Sequence, residues 1–197
     1  MKRFVFATLL AIFACVPTHA ADPTALALVK EANRYVGEQS KDKLVQLRSE
    51  KSVASLTPQI WYVVLYDPTA ALKATEVKFG AGQMLEVKRP FRLLEPVTGQ
   101  DKILDAKRLN TDSDKALKIA LKEPLLGNLK ITASQLWLNR AGKFSELAAD
   151  EATPVWKVKL WAAKLHQPNN DADLGDVFIS ANDGSVLKSD LHINRVD

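Results

Sequence analysis

Ile60-Trp61-Tyr62-Val63-Val64-Leu65-Tyr66 and Val155-Trp156-Lys157-Val158-Lys159-Leu160-Trp161 are the two stretches whose reading decides the fold. Each is rich in β-branched and aromatic residues, which suit a pleated, half-buried strand. They overlay at an offset of 95 residues, 156 minus 61. The match continues outward. Phe79-Gly80-Ala81 lies over Ile179-Ser180-Ala181, and Met84-Leu85 lies over Val186-Leu187 after two extra residues in the second turn. Such self-similarity is the mark of an internal duplication.

Around these strands the same elements recur. Leu28, Val29, Ala32, Tyr35 and Val36 share one helical face, with Pro23-Thr24 before it and Gly37 where a helix stops. Ala116, Leu117, Ala120 and Leu121 repeat that face, with capping residues at 111–114 and Pro124 and Gly127 beyond. Residues 44–48 and 130–139 read as strands. Residues 76–79 with 84–88, and 176–180 with 186–188, read as hairpins, the second turning on Asn182-Asp183-Gly184. The expected fold class is α+β: two tandem units, each a helix packed on a small antiparallel sheet. The units span 21–94 and 112–197, joined by a linker at 95–111 rich in charge and carrying Glu95-Pro96 and Gly99.

Residues 1–20 follow the pattern of a secretory leader. Lys2 and Arg3 precede an apolar run to Val16, and Thr18-His19-Ala20 offers small residues for cleavage before Ala21. The run is too short for a membrane-spanning helix, which needs about 20 residues. Ile12-Phe13-Ala14-Cys15 loosely matches a lipidation motif, but Phe13 is bulky where small residues are preferred, so lipid anchoring at Cys15 is disfavoured. The expected location is periplasmic or secreted. Net charge is +4, and +2 without Lys2 and Arg3, so nothing demands a nucleic-acid partner. Eight glycines exclude a collagen-like chain, and a single cysteine excludes an internal disulfide framework.

Residues 112–190 resemble a PepSY domain. The resemblance rests on the helix Ala116-Leu117-Lys118-Ile119-Ala120-Leu121, the strand Trp156-Lys157-Val158-Lys159-Leu160 and the turn and strand Asn182-Asp183-Gly184-Ser185-Val186-Leu187. Residues 24–90 share fewer features, because Gly80-Ala81-Gly82 lacks the acidic turn residue. The resemblance implies a PepSY/cystatin-like helix-on-sheet shape, no catalytic residues, and the binding or restraint of a partner enzyme. Tandem units of this broad shape are also similar to secreted β-lactamase inhibitor proteins, which grip a target with aromatics on a sheet face.

Strand alternation sorts the candidate site residues. Trp156, Val158 and Leu160 share one face, expected under the helix. Lys157, Lys159 and Trp161 share the other, as do Tyr62, Val64 and Tyr66 in the first half. The candidate binding residues are therefore Tyr62, Tyr66, Lys157, Lys159 and Trp161. Two readings stand open: contact with the other unit or a second copy of the chain, and a concave binding surface with aromatic anchors. The two lysines would steer an acidic partner.

No catalytic, metal or cofactor residues are assigned. His166 and His192 lack companion ligands. Asn169-Asn170-Asp171-Ala172-Asp173-Leu174-Gly175-Asp176 alternates amide and carboxylate but lacks the glycine and terminal glutamate of a calcium loop, and reads as a solvated hairpin loop. Ser134, Ser180 and Ser189 have no nucleophile-elbow setting. Lys88, Arg89 and Arg92 around Pro90-Phe91 read as a charged edge strand. The function expected is an exported, non-catalytic binding protein engaging or inhibiting a protein partner in the cell envelope. The alternative is a small-ligand carrier using the groove between helix and sheet. A homo-oligomer is compatible with either.

Overall fold

A computed structural model of the chain describes residues 23–90 and 99–197. The leader, Cys15, Phe91, Arg92 and Glu95-Pro96 lie outside the described residues. The elements run α1 (Ala25–Ala32), β1 (Leu44–Ser49), β2 (Ile60–Tyr66), β3 (Ala74–Gly80), β4 (Gln83–Lys88), α2 (Ser113–Ala120), β5 (Ile131–Arg140), β6 (Pro154–Ala163), β7 (Asp171–Ser180) and β8 (Val186–Leu191). Among the described residues the strands form one eight-stranded sheet, in the order β4-β3-β2-β1-β5-β6-β7-β8. Every neighbouring pair is antiparallel.

This corrects the expectation of two tandem units, each a helix on its own small sheet. β1 pairs with β2 on one side and with β5 on the other, through Leu47–Leu138 and Arg48–Trp137. An edge strand left bare is a liability, and this pairing removes two of them. The core is shared as well. Leu28 and Ala32 of α1, Ala116 and Ala120 of α2, and Trp61, Leu47, Leu138 and Trp156 belong to one buried cluster. The Trp61 and Trp156 rings meet edge to face, with centroids 6.5 Å apart and planes at 83°. Among the described residues the two α-helices are short, eight residues each, and strand predominates.

The overlay of the two halves does match positions in the ladder. Trp61 lies opposite Phe79 and Trp156 opposite Ile179. Phe79 in turn faces Met84, and Ile179 faces Val186, each beside a bulge.

The seam between β1 and β5 is finished by side chains. Beyond Arg48 the two strands part, and the Ser49 hydroxyl accepts from the Leu136 N–H at 2.9 Å. The Ser52 hydroxyl accepts from the Ser134 N–H at 2.9 Å, and the Ser52 N–H donates to the Ser134 carbonyl at 2.8 Å. Donors that a longer β1 would have satisfied are thus paired, as buried backbone groups require.

The helices are joined at their N-termini. One carboxylate oxygen of Asp112 accepts from the Ser113 N–H at 2.6 Å and from the Leu26 N–H at 3.1 Å. The Ser113 hydroxyl accepts from the Ala25 N–H at 3.0 Å. Asp112 therefore serves the first turns of both helices, where unpaired N–H groups and the helix dipole favour an anion. Losing one cap costs ~1 kcal/mol. Asp112→Ala removes two, and is expected to lower stability by about 2 kcal/mol, read from urea unfolding, with Asp112→Asn losing less.

Helix α1 ends at Ala32, short of the Gly37 stop expected from its pattern. Asn33 instead brackets Asp42: its amide donates to the Asp42 carboxylate at 2.6 Å, and the Asp42 N–H returns a bond to the Asn33 side chain at 3.0 Å. That clamp turns the chain toward β1, and Tyr35 packs edge-on against Phe79 from outside the helix. The stretch 169–176, expected as a hairpin loop, is largely the first half of β7.

Candidate functional site

The helices cover one face of the sheet. The other face carries a row of side chains fixed by ladder register across all eight described strands: Glu86, Lys78, Tyr62, Arg48, Trp137, Lys157, Phe178 and Lys188. Cations and aromatics alternate along it. The Arg48 guanidinium lies 4.0 Å from the Tyr62 ring centroid and the Lys78 ammonium 5.1 Å from it. Lys157 sits 5.6 Å from Trp137 and 5.5 Å from Phe178. Each such contact contributes ~0.5–1 kcal/mol at partly exposed sites.

Acids flank the row. Glu76, only 2% exposed, takes Arg48 at 2.8 Å and Lys88 at 3.5 Å. Glu50 accepts from the Tyr62 hydroxyl and lies 3.4 Å from Lys78. The Tyr62 hydrogen bond, aided by Lys78, holds the Glu50 carboxyl below its ordinary range. Lys157 pairs with Asp176 at 3.0 Å, and Lys159 with Asp173 at 2.8 Å. Burial raises the Asp173 pKa, but the Lys159 ammonium and the Gly175 N–H outweigh it and the net shift is downward. Lys51, from the loop after β1, reaches Asp171 at 3.0 Å and stands 4.7 Å from the Trp161 ring.

One end of this face is covered. Ile103 packs on Val45, Val64, Tyr66 and Ala74. Phe144, in the loop between β5 and β6, packs on Val155 and Phe178, its ring 5.4 Å from that of Phe178. Arg108 ties the two covers together by donating to the Thr153 hydroxyl at 2.9 Å. The other end is open, around Tyr62, Arg48, Trp137, Lys159 and Trp161.

Four of the five expected site residues come together there: Tyr62, Lys157, Lys159 and Trp161. Tyr66 does not. It is buried beside Ile103, with Lys43 over its ring, and offers no surface to a partner. The steering role expected of Lys157 and Lys159 is corrected too, because Asp176 and Asp173 neutralise them. Trp137, Arg48 and Lys78 were missed. Trp137, 38% exposed, stands between buried Leu136 and Leu138, so the alternation of β5 already marks it. Arg48, beside Tyr62 through β1–β2, is joined to Trp137 only through the pairing of β1 with β5. The face expected to pack under the helices is buried as Trp156, Val158 and Leu160. A cavity between helices and sheet, lined by Pro23, Thr24, Pro58, Trp61, Ser113 and Leu117, has a volume of about 50 Å³. A drug-sized ligand needs about 300 Å³ or more. Among the described residues, no helix is long and apolar enough to cross a membrane. No family model, curated protein or solved structure matches the chain.

Proposed function

We propose that the chain is an exported, non-catalytic binding protein that engages a protein partner through the open end of the helix-free sheet face. The observation that carries this reading is the row Tyr62, Arg48 and Trp137, which places three residue types favoured in interface hot spots side by side on β2, β1 and β5. The leader pattern at 1–20 supports export, and the resemblance of residues 112–190 to PepSY domains points toward a protein partner.

The electrostatics favour a partner recognised by shape and aromatic contact. Every cation named at the open end already has an acid beside it, and a cation stands against each of Tyr62, Trp137 and Trp161. Rings so occupied present edges and hydrocarbon stems more than free faces, which suits a protein surface better than stacked sugars or bases. Capture should therefore depend weakly on salt.

The test uses wild-type and Trp137→Ala chains against envelope extract from the producing cell, with stability measured on the same samples. Trp137→Ala is expected to weaken capture by ~2 kcal/mol or more, roughly thirtyfold, with a small stability loss. Capture unchanged by Trp137→Ala and by Trp161→Ala would remove this face as the binding surface.

A further inference from the structure

The edge strand β4 leaves its outer side unpaired by any described strand, and two apolar side chains on it are open to solvent: Leu85 is 55% exposed and Val87 41%. Such a strand is a template for another strand. Its side chains decide which one. Glu86 and Lys88 lie on the helix-free face, opposite Lys78 and Glu76, while Val87 lies on the helix side opposite Val77. The Lys88 ammonium is 3.5 Å from both Glu86 and Glu76 of its own chain, so a second copy would extend an existing ion network. Leu85 is the extra residue of a bulge and breaks regular pairing.

We propose that β4 pairs antiparallel with β4 of a second copy of this chain, centred on Val87. A two-fold pairing must keep residues of one face opposite each other. Centred on Val87, it sets Glu86 opposite Lys88 of the second copy and Lys88 opposite its Glu86, with the two Val87 side chains in contact. Centred on Glu86, it sets two carboxylates against each other. Centred on Leu85, it falls on the bulge. Charge therefore selects one register, and favourable opposite-charge pairs with a β-branched pair between them support it. Leu85 and Pro90 confine the pairing to about five residues, so the dimer is small and concentration-dependent. Because the pairing is two-fold, it uses the edge up in both copies and closes. The helix-free faces of the two copies then become one continuous surface. The opposite edge, β8, offers the same charge pattern, since a pairing centred on Ser189 sets Lys188 opposite Asp190, but it is the weaker candidate because two half-buried hydroxyl side chains meet where β4 brings two valines together.

The experiment uses the full chain in a Cys15→Ser background, so that an introduced thiol is the only one. Directly opposed residues of antiparallel strands have Cα atoms ~4.5–5.5 Å apart, within reach of a disulfide. Val87→Cys is expected to form a disulfide-linked dimer on mild oxidation, whereas Ser189→Cys on β8 stays monomeric. Light scattering should show wild-type dimer growing with concentration. Glu86→Lys should weaken association about tenfold or more by opposing like charges, with Glu86→Gln intermediate and circular dichroism unchanged. A wild-type chain monomeric at every concentration, cross-linking through Ser189→Cys instead, or association indifferent to Glu86→Lys would each overturn the proposal. None of these readouts involves Trp137 or an envelope partner, so failure here and failure of the face-binding reading are told apart.

Discussion

Replacing Trp156 with alanine is expected to cost about 3–5 kcal/mol, the range for truncating a buried aromatic. Trp156 is fully buried on β6, and its indole N–H donates to the Thr111 carbonyl at 2.8 Å. Truncation removes the burial, opens a cavity and leaves that carbonyl without its partner. Trp61 on β2 is 4% exposed and donates to the Pro58 carbonyl at 3.0 Å, so Trp61→Ala belongs in the same range. The pair also tests the single core. Their rings touch edge to face, and such pairs contribute ~0.5–1.5 kcal/mol beyond burial. A double-mutant cycle by urea unfolding should return a coupling of that size. Strictly additive losses would mean that the two halves do not share a core.

Lowering the pH, or replacing Asp67 with alanine, should produce the next largest loss, about 2–3 kcal/mol for the substitution. Asp67 directly follows β2 and is 2% exposed. One oxygen accepts from the Thr69 N–H at 2.9 Å and the Thr69 hydroxyl at 2.6 Å, the other from the Thr75 hydroxyl at 2.7 Å. Arg89, just past β4, lies 3.2 Å away and so pins that end of the sheet to the turn between β2 and β3. Burial raises the pKa of this carboxyl, but the Thr69 and Thr75 bonds and the Arg89 charge outweigh it and hold it well below the ordinary range. A depressed carboxylate stabilises the fold at pH above its unfolded value, ~4, and that contribution is lost as pH falls toward the folded value. Asp171, held down by the Thr132 and Lys51 bonds, and Asp183, lowered to about 2 by the Ser185 backbone and hydroxyl bonds, act in the same direction. The urea midpoint should therefore fall steadily between about pH 5 and pH 2, and Asp67→Asn should flatten the slope. A midpoint flat across that interval would contradict this account.

Several elements were legible because their signal is local. Residues 60–66 have the bounds of β2, since a run of β-branched and aromatic residues closed by Asp67-Pro68 leaves little choice. Period-two alternation correctly buried Trp156, Val158 and Leu160 and turned Lys157 and Lys159 outward. It failed at Tyr66, which does point away from the helices but meets Ile103, from a segment whose sequence reads as a linker with a short helical piece near Ile103 and Leu104. It also overvalued Lys157 and Lys159, because Asp176 and Asp173 belong to a stretch read as a loop. A bulge between Leu160 and Trp161 and Gly175 at φ 105° bring those carboxylates onto the same face, and no spacing rule anticipates a bulge.

The sequence by itself determined where the strands lie, the first half of β7 excepted, which of their side chains turn inward, and that the two halves carry matching ladder positions. These follow from propensity and periodicity, which act within one strand or one hairpin. Only the tertiary structure decided that the halves share one sheet and one core. That outcome rests on two strands far apart in the chain, β1 and β5, whose backbones bond to each other. Any exposed edge offers the same N–H and C=O groups, so side-chain pattern does not say which partner it takes. The candidate site depends on the same choice. Tyr62 and Trp137 lie on opposite sides of the seam, and Arg48 stands between them only because β1 is a central strand.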